Sequence, residues 1–146
     1  MKNSIGRVAA AAAAVVAAAT SVAAGPGAAY ASDVNPGSAT ALCGSGYSIV
    51  DSHGIDGGIY VYLLYSSATK KNCAVTFKQK NIGTRNNTEV YIISQETHKT
   101  ADDFGSYTSY AGRVYLSAPG ECVKYGGQVQ YGTTIYSWDS SWVACG

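Results

Sequence analysis

Runs of like charge are missing from this chain. Only 13% of its 146 residues are charged, with 10 Lys and Arg against 9 Asp and Glu. Neither sign gathers into a patch, which argues against a nucleic-acid surface and against steering of a charged substrate. No two cysteines stand two to four residues apart, so the usual zinc spacings are absent. There is no G-x-S-x-G elbow. Ser45, in Gly44-Ser45-Gly46, lacks the strand–turn–helix setting that such a nucleophile needs. Beyond Ala24 the longest apolar stretch is Gly57 to Tyr65, strand length and well short of the roughly 20 residues that span a bilayer.

What is present begins with an export signal. Lys2 and Arg7 precede an uncharged Ala/Val run from Val8 to Ala24. Gly25-Pro26-Gly27 breaks that run, and Ala29-Tyr30-Ala31 places small residues at −3 and −1 before Ser32. Residues 1–31 are therefore expected to be a secretory signal peptide, leaving no stable membrane insertion after cleavage. Loss of Lys2 and Arg7 leaves eight basic against nine acidic residues in a mature chain of 115 residues. That length suits one domain. Residues 32–42, rich in small residues around Asn35-Pro36-Gly37, are expected to form a flexible lead-in to a β domain over 43–146.

All four cysteines, Cys43, Cys73, Cys122 and Cys145, lie in the exported part. An even count in a small secreted domain reads as a disulfide framework. Three pairings are open. Cys43–Cys73 with Cys122–Cys145 is the expected one, because each bond then closes one end of the domain on itself.

The pattern after Cys43 is β. Tyr47 to Ser52 reads as a first strand, and Ile59 to Tyr65, apolar on both faces, as a central one. Cys73 to Lys80 alternates, with Cys73, Val75 and Phe77 expected inward and Thr76, Lys78 and Lys80 on a wet face. Thr88 to Gln95 is a further strand. Glu96 to Ser106 is expected to be a loop or one short turn. Val114 to Ser117, Cys122 to Tyr125, Gln128 to Tyr131, Thr133 to Trp138 and Trp142 to Cys145 complete the set, with Gly126-Gly127 read as a break. Short strands between Gly-rich turns predict a single all-β domain, an antiparallel sandwich or barrel-like fold with two disulfides.

Two polar clusters could carry chemistry. Asp51, His53 and Asp56 fall within six positions, and Glu96, His98, Asp102 and Asp103 within eight. Imidazole and carboxylates at such spacing can bind a metal or exchange protons. Turn and loop composition explains both clusters without chemistry, because Asp and Gly favour turns for backbone reasons. No catalytic residue, metal ligand or cofactor is therefore assigned. The aromatics carry more weight. Tyr125, Tyr131, Tyr136, Trp138 and Trp142 crowd the last strands, and Tyr125, Trp138 and Trp142 are the candidate ligand-binding rings. The favoured expectation nevertheless packs Trp138 and Trp142 into the core beside the second disulfide, because alternate positions in a sheet must bury something.

An ordered string of motifs runs through the domain. It begins Cys43-Gly44-x-Gly46-Tyr47, Gly58-x-Tyr60-Val61-Tyr62-Leu63-x-Tyr65 and Asn72-Cys73-Ala74-Val75-Thr76. It continues Gly105-x-Tyr107-Thr108-Ser109-Tyr110-Ala111-Gly112-x-Val114-Tyr115, then Gly120-x-Cys122-Val123-x-x-Gly126-Gly127 and Cys145-Gly146. This string resembles the spore-associated protein A family of streptomycetes and related actinomycetes. The resemblance covers nearly all of the chain from Cys43 onward. Tyr125 departs from it, standing where the family often has Trp. What it implies is a secreted, spore- or cell-surface-associated protein with no enzymatic mechanism and no cofactor. Spore-surface or cell-wall components are the partners it suggests. The alternative expectation is a secreted binding module or hydrolase inhibitor acting through an exposed loop or aromatic face.

Overall fold

The computed structural model describes residues 36–146. The expected signal peptide, residues 1–31, lies outside the described residues. The described chain is all-β apart from one short helix: α1 (Pro36–Cys43), then β1 (Ser48–Gly54), β2 (Ile59–Ser66), β3 (Lys71–Lys78), β4 (Asn86–Ser94), β5 (Thr100–Tyr107), β6 (Tyr110–Ser117), β7 (Val123–Tyr131) and β8 (Thr134–Asp139). The strands form two four-stranded antiparallel sheets, ordered β1-β2-β3-β6 and β5-β4-β7-β8. The sheets pack face to face, with β6 against β4 and β5, β3 against β4 and β7, and β2 against β7. The expected antiparallel sandwich with two disulfides is what the chain forms.

Its core lies between the sheets, where Ile59, Val61, Leu63 and Ala74 of the first sheet meet Val90, Ile92, Val123, Tyr125 and Val129 of the second. β4 shows why. Thr88, Val90, Ile92 and Ser94 are buried, while the residues between them face outward, the period-2 pattern of a strand with one dry face. The first sheet is different, because it is covered on both faces. Tyr62, Leu64, Cys73, Val75 and Phe77 point away from the second sheet and form a separate apolar cluster with Ala39, Leu42 and Cys43 of α1. That is why β2 reads apolar throughout.

Four expectations are corrected. The flexible lead-in expected over residues 32–42 is not irregular up to Cys43, because Pro36–Cys43 form α1. Pro at the first helical position fits, since its ring pre-sets φ and its missing N–H has no partner to lose there. Gly44 closes the helix by donating to the Thr40 carbonyl at 2.9 Å. The wet face assigned to Thr76 and Lys78 is the face between the sheets, and both residues are buried. The segment 96–106 is not a loop, since β5 occupies most of it. Gly126-Gly127 does not break the last strands but lies inside β7. A side chain at Gly127 would overlap Thr76 and come within 2.6 Å of the Glu89 carbonyl, so only glycine lets the two sheets approach here.

Candidate functional site

The two sides of the sandwich are closed differently. On one side the β5–β6 hairpin connects the sheets. There Asp103 accepts the Gly112 N–H at 2.7 Å and also the Tyr107 hydroxyl, which makes it a structural corner. On the other side the edge strands β1 and β8 face each other, and side chains bridge the gap.

Asp51 and His53 on β1 pair with Leu63 and Val61 of β2, so both lie on the core side of their sheet. Trp138 on β8 pairs with Gly127. The His53 and Trp138 rings stack across the seam, 4.4 Å between centroids and 10° between planes. Tyr125 packs edge-on to Trp138 from within, at 5.3 Å and 71°. The structure thus joins residues that the sequence placed in separate groups: Asp51 and His53 from the first polar cluster, Tyr125 and Trp138 from the aromatics. Asp56 sits apart, exposed in the turn after β1.

This geometry limits what the seam can do. Tyr125 is 0% exposed and offers no ring face to solvent. Its hydroxyl has no hydrogen-bond partner. Burial, and then the nearby negative charge of Asp51, push its phenol well above the ordinary tyrosine range, so it stays neutral. Asp51 acts through its charge without completing a hydrogen bond of normal geometry, and it also accepts the Ser52 N–H at 2.9 Å. Trp138 has His53 on one side and Tyr125 on the other, which leaves little ring for a ligand. Trp142 is the most open of the three candidate rings, at 41% exposed. It lies in the segment after β8, where Val143 bridges to Val123.

The second polar cluster does not assemble. Asp102 and Asp103 are neighbours in β5 and point to opposite faces, Asp103 inward and Asp102 outward. Glu96 and His98 sit in the β4–β5 turn. That turn is organised by Glu121, whose carboxylate accepts the backbone N–H groups of Glu96 at 3.1 Å and Thr97 at 3.0 Å.

Reading 96–106 as a loop hid a further surface, the outer face of the second sheet. Register places Phe104, Glu89, Gln128 and Ser137 in one row across it, and Asp102, Tyr91, Gly126 and Asp139 in the next. Tyr91 reaches over Gly126 to donate to Asp139. A side chain at Gly126 would come within 2.7 Å of the Tyr91 hydroxyl. Burial, then Asp102 and Asp139, raise the carboxyl of Glu89. At the rims Phe104 is 57% and Ile135 58% exposed. The signal for this face was the alternation of Asp102, Phe104 and Ser106, which charge and glycine disguised as a loop.

The buried phenols lead to a pH prediction. Tyr125 and Tyr91 are raised chiefly by burial, Tyr131 likewise, and Tyr107 chiefly by its hydrogen bond to Asp103. A group with a raised folded pKa stabilises fully below its unfolded pKa, about 10 for tyrosine, and loses that contribution as pH rises further. Burial lowers Lys78, which works the other way in the same window, one group against four. The urea midpoint is therefore expected to hold steady between pH 7 and 9 and to fall above about pH 10. A midpoint that rises there would show that the phenols ionise freely in the folded state.

The chain is 46% identical over 88 residues to spore-associated protein A of Streptomyces coelicolor (strain ATCC BAA-471 / A3(2) / M145). The match covers 60% of this chain and 56% of the relative, so the chain aligns with little more than half of that protein's length. No family model matches the chain, and no solved structure does. Over the 88 aligned residues, this identity supports a family relationship with spore-associated protein A.

Proposed function

We propose that this chain is an exported protein of the spore or cell surface that works by binding and not by catalysis. The observation that carries this reading is the 46% identity to a spore-associated protein. Two disulfides in a 111-residue described region fit an oxidising compartment. The seam residues support the second half of the proposal. Tyr125 is neutral and buried, and Trp138 and His53 are engaged with each other, so these groups hold the sheets together.

Within that reading, the outer face of the second sheet is the binding surface. It carries flat amides and carboxylates between Phe104 and Ile135, groups that suit a hydroxyl-rich polymer such as a cell-wall glycan.

Protein collected from spores should begin at or near Ser32 by mass spectrometry, and protease added to intact spores should remove it. Recovery only as full-length, membrane-embedded chain would overturn the export proposal. The double variant Phe104→Ala, Ile135→Ala should release the protein from spores into the medium several-fold more than the parent, with its melting temperature kept. Asp51→Ala and His53→Ala should leave retention unchanged. Loss of a true acid or base would instead lower some rate by roughly 10²–10⁴-fold in a folded variant, and that outcome would establish an enzyme.

A further inference from the structure

One end of the sandwich is left unfilled. A cleft of about 210 Å³ opens there between β1, the β2–β3 hairpin and the last residues of the chain. Val50, Tyr65, Asn72, Ala118 and Cys145 line it, together with backbone of Gly120 and Gly146. No charged side chain is among them. The Cys122–Cys145 disulfide and the Val143–Val123 bridge hold the outer wall in place.

Asn72 is the unusual member. It sits in β3 between Tyr65 of β2 and Leu116 of β6 and is 2% exposed. Its Oδ1 is buried and has no hydrogen-bond partner. A buried acceptor left unpaired is costly, and an aliphatic side chain of the same size would carry no such cost. An amide in the wall of an apolar cleft can orient a guest once the guest displaces the neighbours that bury its oxygen.

We propose that this cleft is a binding site for a small uncharged molecule with an apolar body, about one ring in size, and one O–H or N–H donor directed at Asn72 Oδ1. The volume is adequate, since an apolar cavity of roughly 150 Å³ takes up benzene. The lining side chains carry no charge, so none offsets the desolvation of an anionic ligand, which would also face the α-carboxylate of Gly146. This site is separate from the sheet face proposed for surface attachment, and either can fail without the other.

The test uses the exported chain with disulfides intact and isotope-labelled, titrated with p-cresol and with toluene, which has the same ring and methyl group but no donor. Saturable shifts are expected at the amides of Ala118, Gly120 and Ala144 and at the Asn72 side chain. p-Cresol should bind about five- to tenfold more tightly than toluene, the margin that one buried hydrogen bond provides. Asn72→Leu should erase that margin. Val50→Trp, an exposed substitution at the rim of the cleft, should block both compounds. No saturable shift with either compound would overturn the proposal. Equal affinity for the two in the parent protein would overturn the role of Asn72, and undiminished binding in Val50→Trp would place binding elsewhere. If Asn72→Leu does not fold, the parent's preference and Val50→Trp still decide.

Discussion

Replacing Lys78 by Met is expected to destabilise the domain by about 3 kcal/mol or more, although the new side chain follows the same unbranched path, shorter by the terminal nitrogen, and is more apolar. The lysine lies in the interior at 2% exposure, and its ammonium is met entirely by oxygen. The carbonyls of Asn81 (3.0 Å), Thr84 (2.6 Å), Tyr107 (3.3 Å) and Thr108 (3.1 Å) surround it, with Asn86 Oδ1 at 2.8 Å. The Tyr131 ring lies 5.9 Å from the nitrogen, within cation–π range. Burial lowers the pKa of this ammonium. The carbonyls answer by offering five acceptors to three N–H groups. They come from the β3–β4 connection, the start of β4 and the β5–β6 hairpin, so one side chain ties three segments to the first sheet. Met would take the ammonium away from the Thr84 carbonyl and Asn86 Oδ1, while the Asn81 and Thr108 carbonyls keep the N–H groups of Thr84 and Gly83 at 3.0 Å each. Each buried acceptor left unpaired costs roughly 1–3 kcal/mol. Lys78→Arg should also be destabilising, because a planar fork cannot point its donors around a compact cage. Urea unfolding of both variants measures this. A loss below about 1 kcal/mol in Lys78→Met would mean that water reaches the carbonyls, and that the lysine is not what holds the loop.

Lys78 also shows where reading the sequence stops. Alternation identified β3 and β4, and a run apolar on both faces identified the central position of β2, because the apolar pattern is a direct record of burial. Alternation cannot say which face of a doubly covered strand meets the other sheet. In β3 the polar residues face the second sheet, and Cys73, Val75 and Phe77 face a helix. That helix was hidden for the same kind of reason. Asn35-Pro36-Gly37 has linker composition, and eight residues are too few to nucleate a helix alone. The Cys43–Cys73 bond and the apolar face beneath supply what the local sequence lacks. β5 was hidden because Asp102 and Asp103 look like one acidic cluster until the strand separates them. The crowding of Tyr125, Trp138 and Trp142 was visible, and the disulfide partners were inferred correctly from spacing. Which ring is buried, which is stacked and which is open depends on sheet order, and that is a tertiary property.

The two disulfides are expected to contribute unequally, despite similar loop lengths. Their separations are 30 residues for Cys43–Cys73 and 23 for Cys122–Cys145. Restriction of the unfolded chain alone gives about 3–4 kcal/mol for each, with a difference of only a few tenths. Against a typical net stability of about 5–15 kcal/mol, either loss is large. The folded state separates them. Cys43–Cys73 pins α1 to the centre of the first sheet. Arg113 to the Leu42 carbonyl at 3.1 Å and the Tyr115 hydroxyl to the Cys43 carbonyl at 2.9 Å hold the end of the helix as well. Without the bond α1 can lift away and uncover Tyr62, Leu64, Val75 and Phe77, a contiguous apolar face. Cys122–Cys145 fastens only the last residues, which keep two backbone hydrogen bonds of 2.8 Å between Val123 and Val143. Cys43→Ala with Cys73→Ala should therefore cost more than Cys122→Ala with Cys145→Ala. It should also remove hydrogen-exchange protection at Gly44 and make the protein prone to self-association. Urea unfolding of the two double variants, with exchange measured under native conditions, decides the matter. Equal losses would reduce both bonds to chain restriction, and a larger loss from the C-terminal pair would show that α1 does not depend on its disulfide.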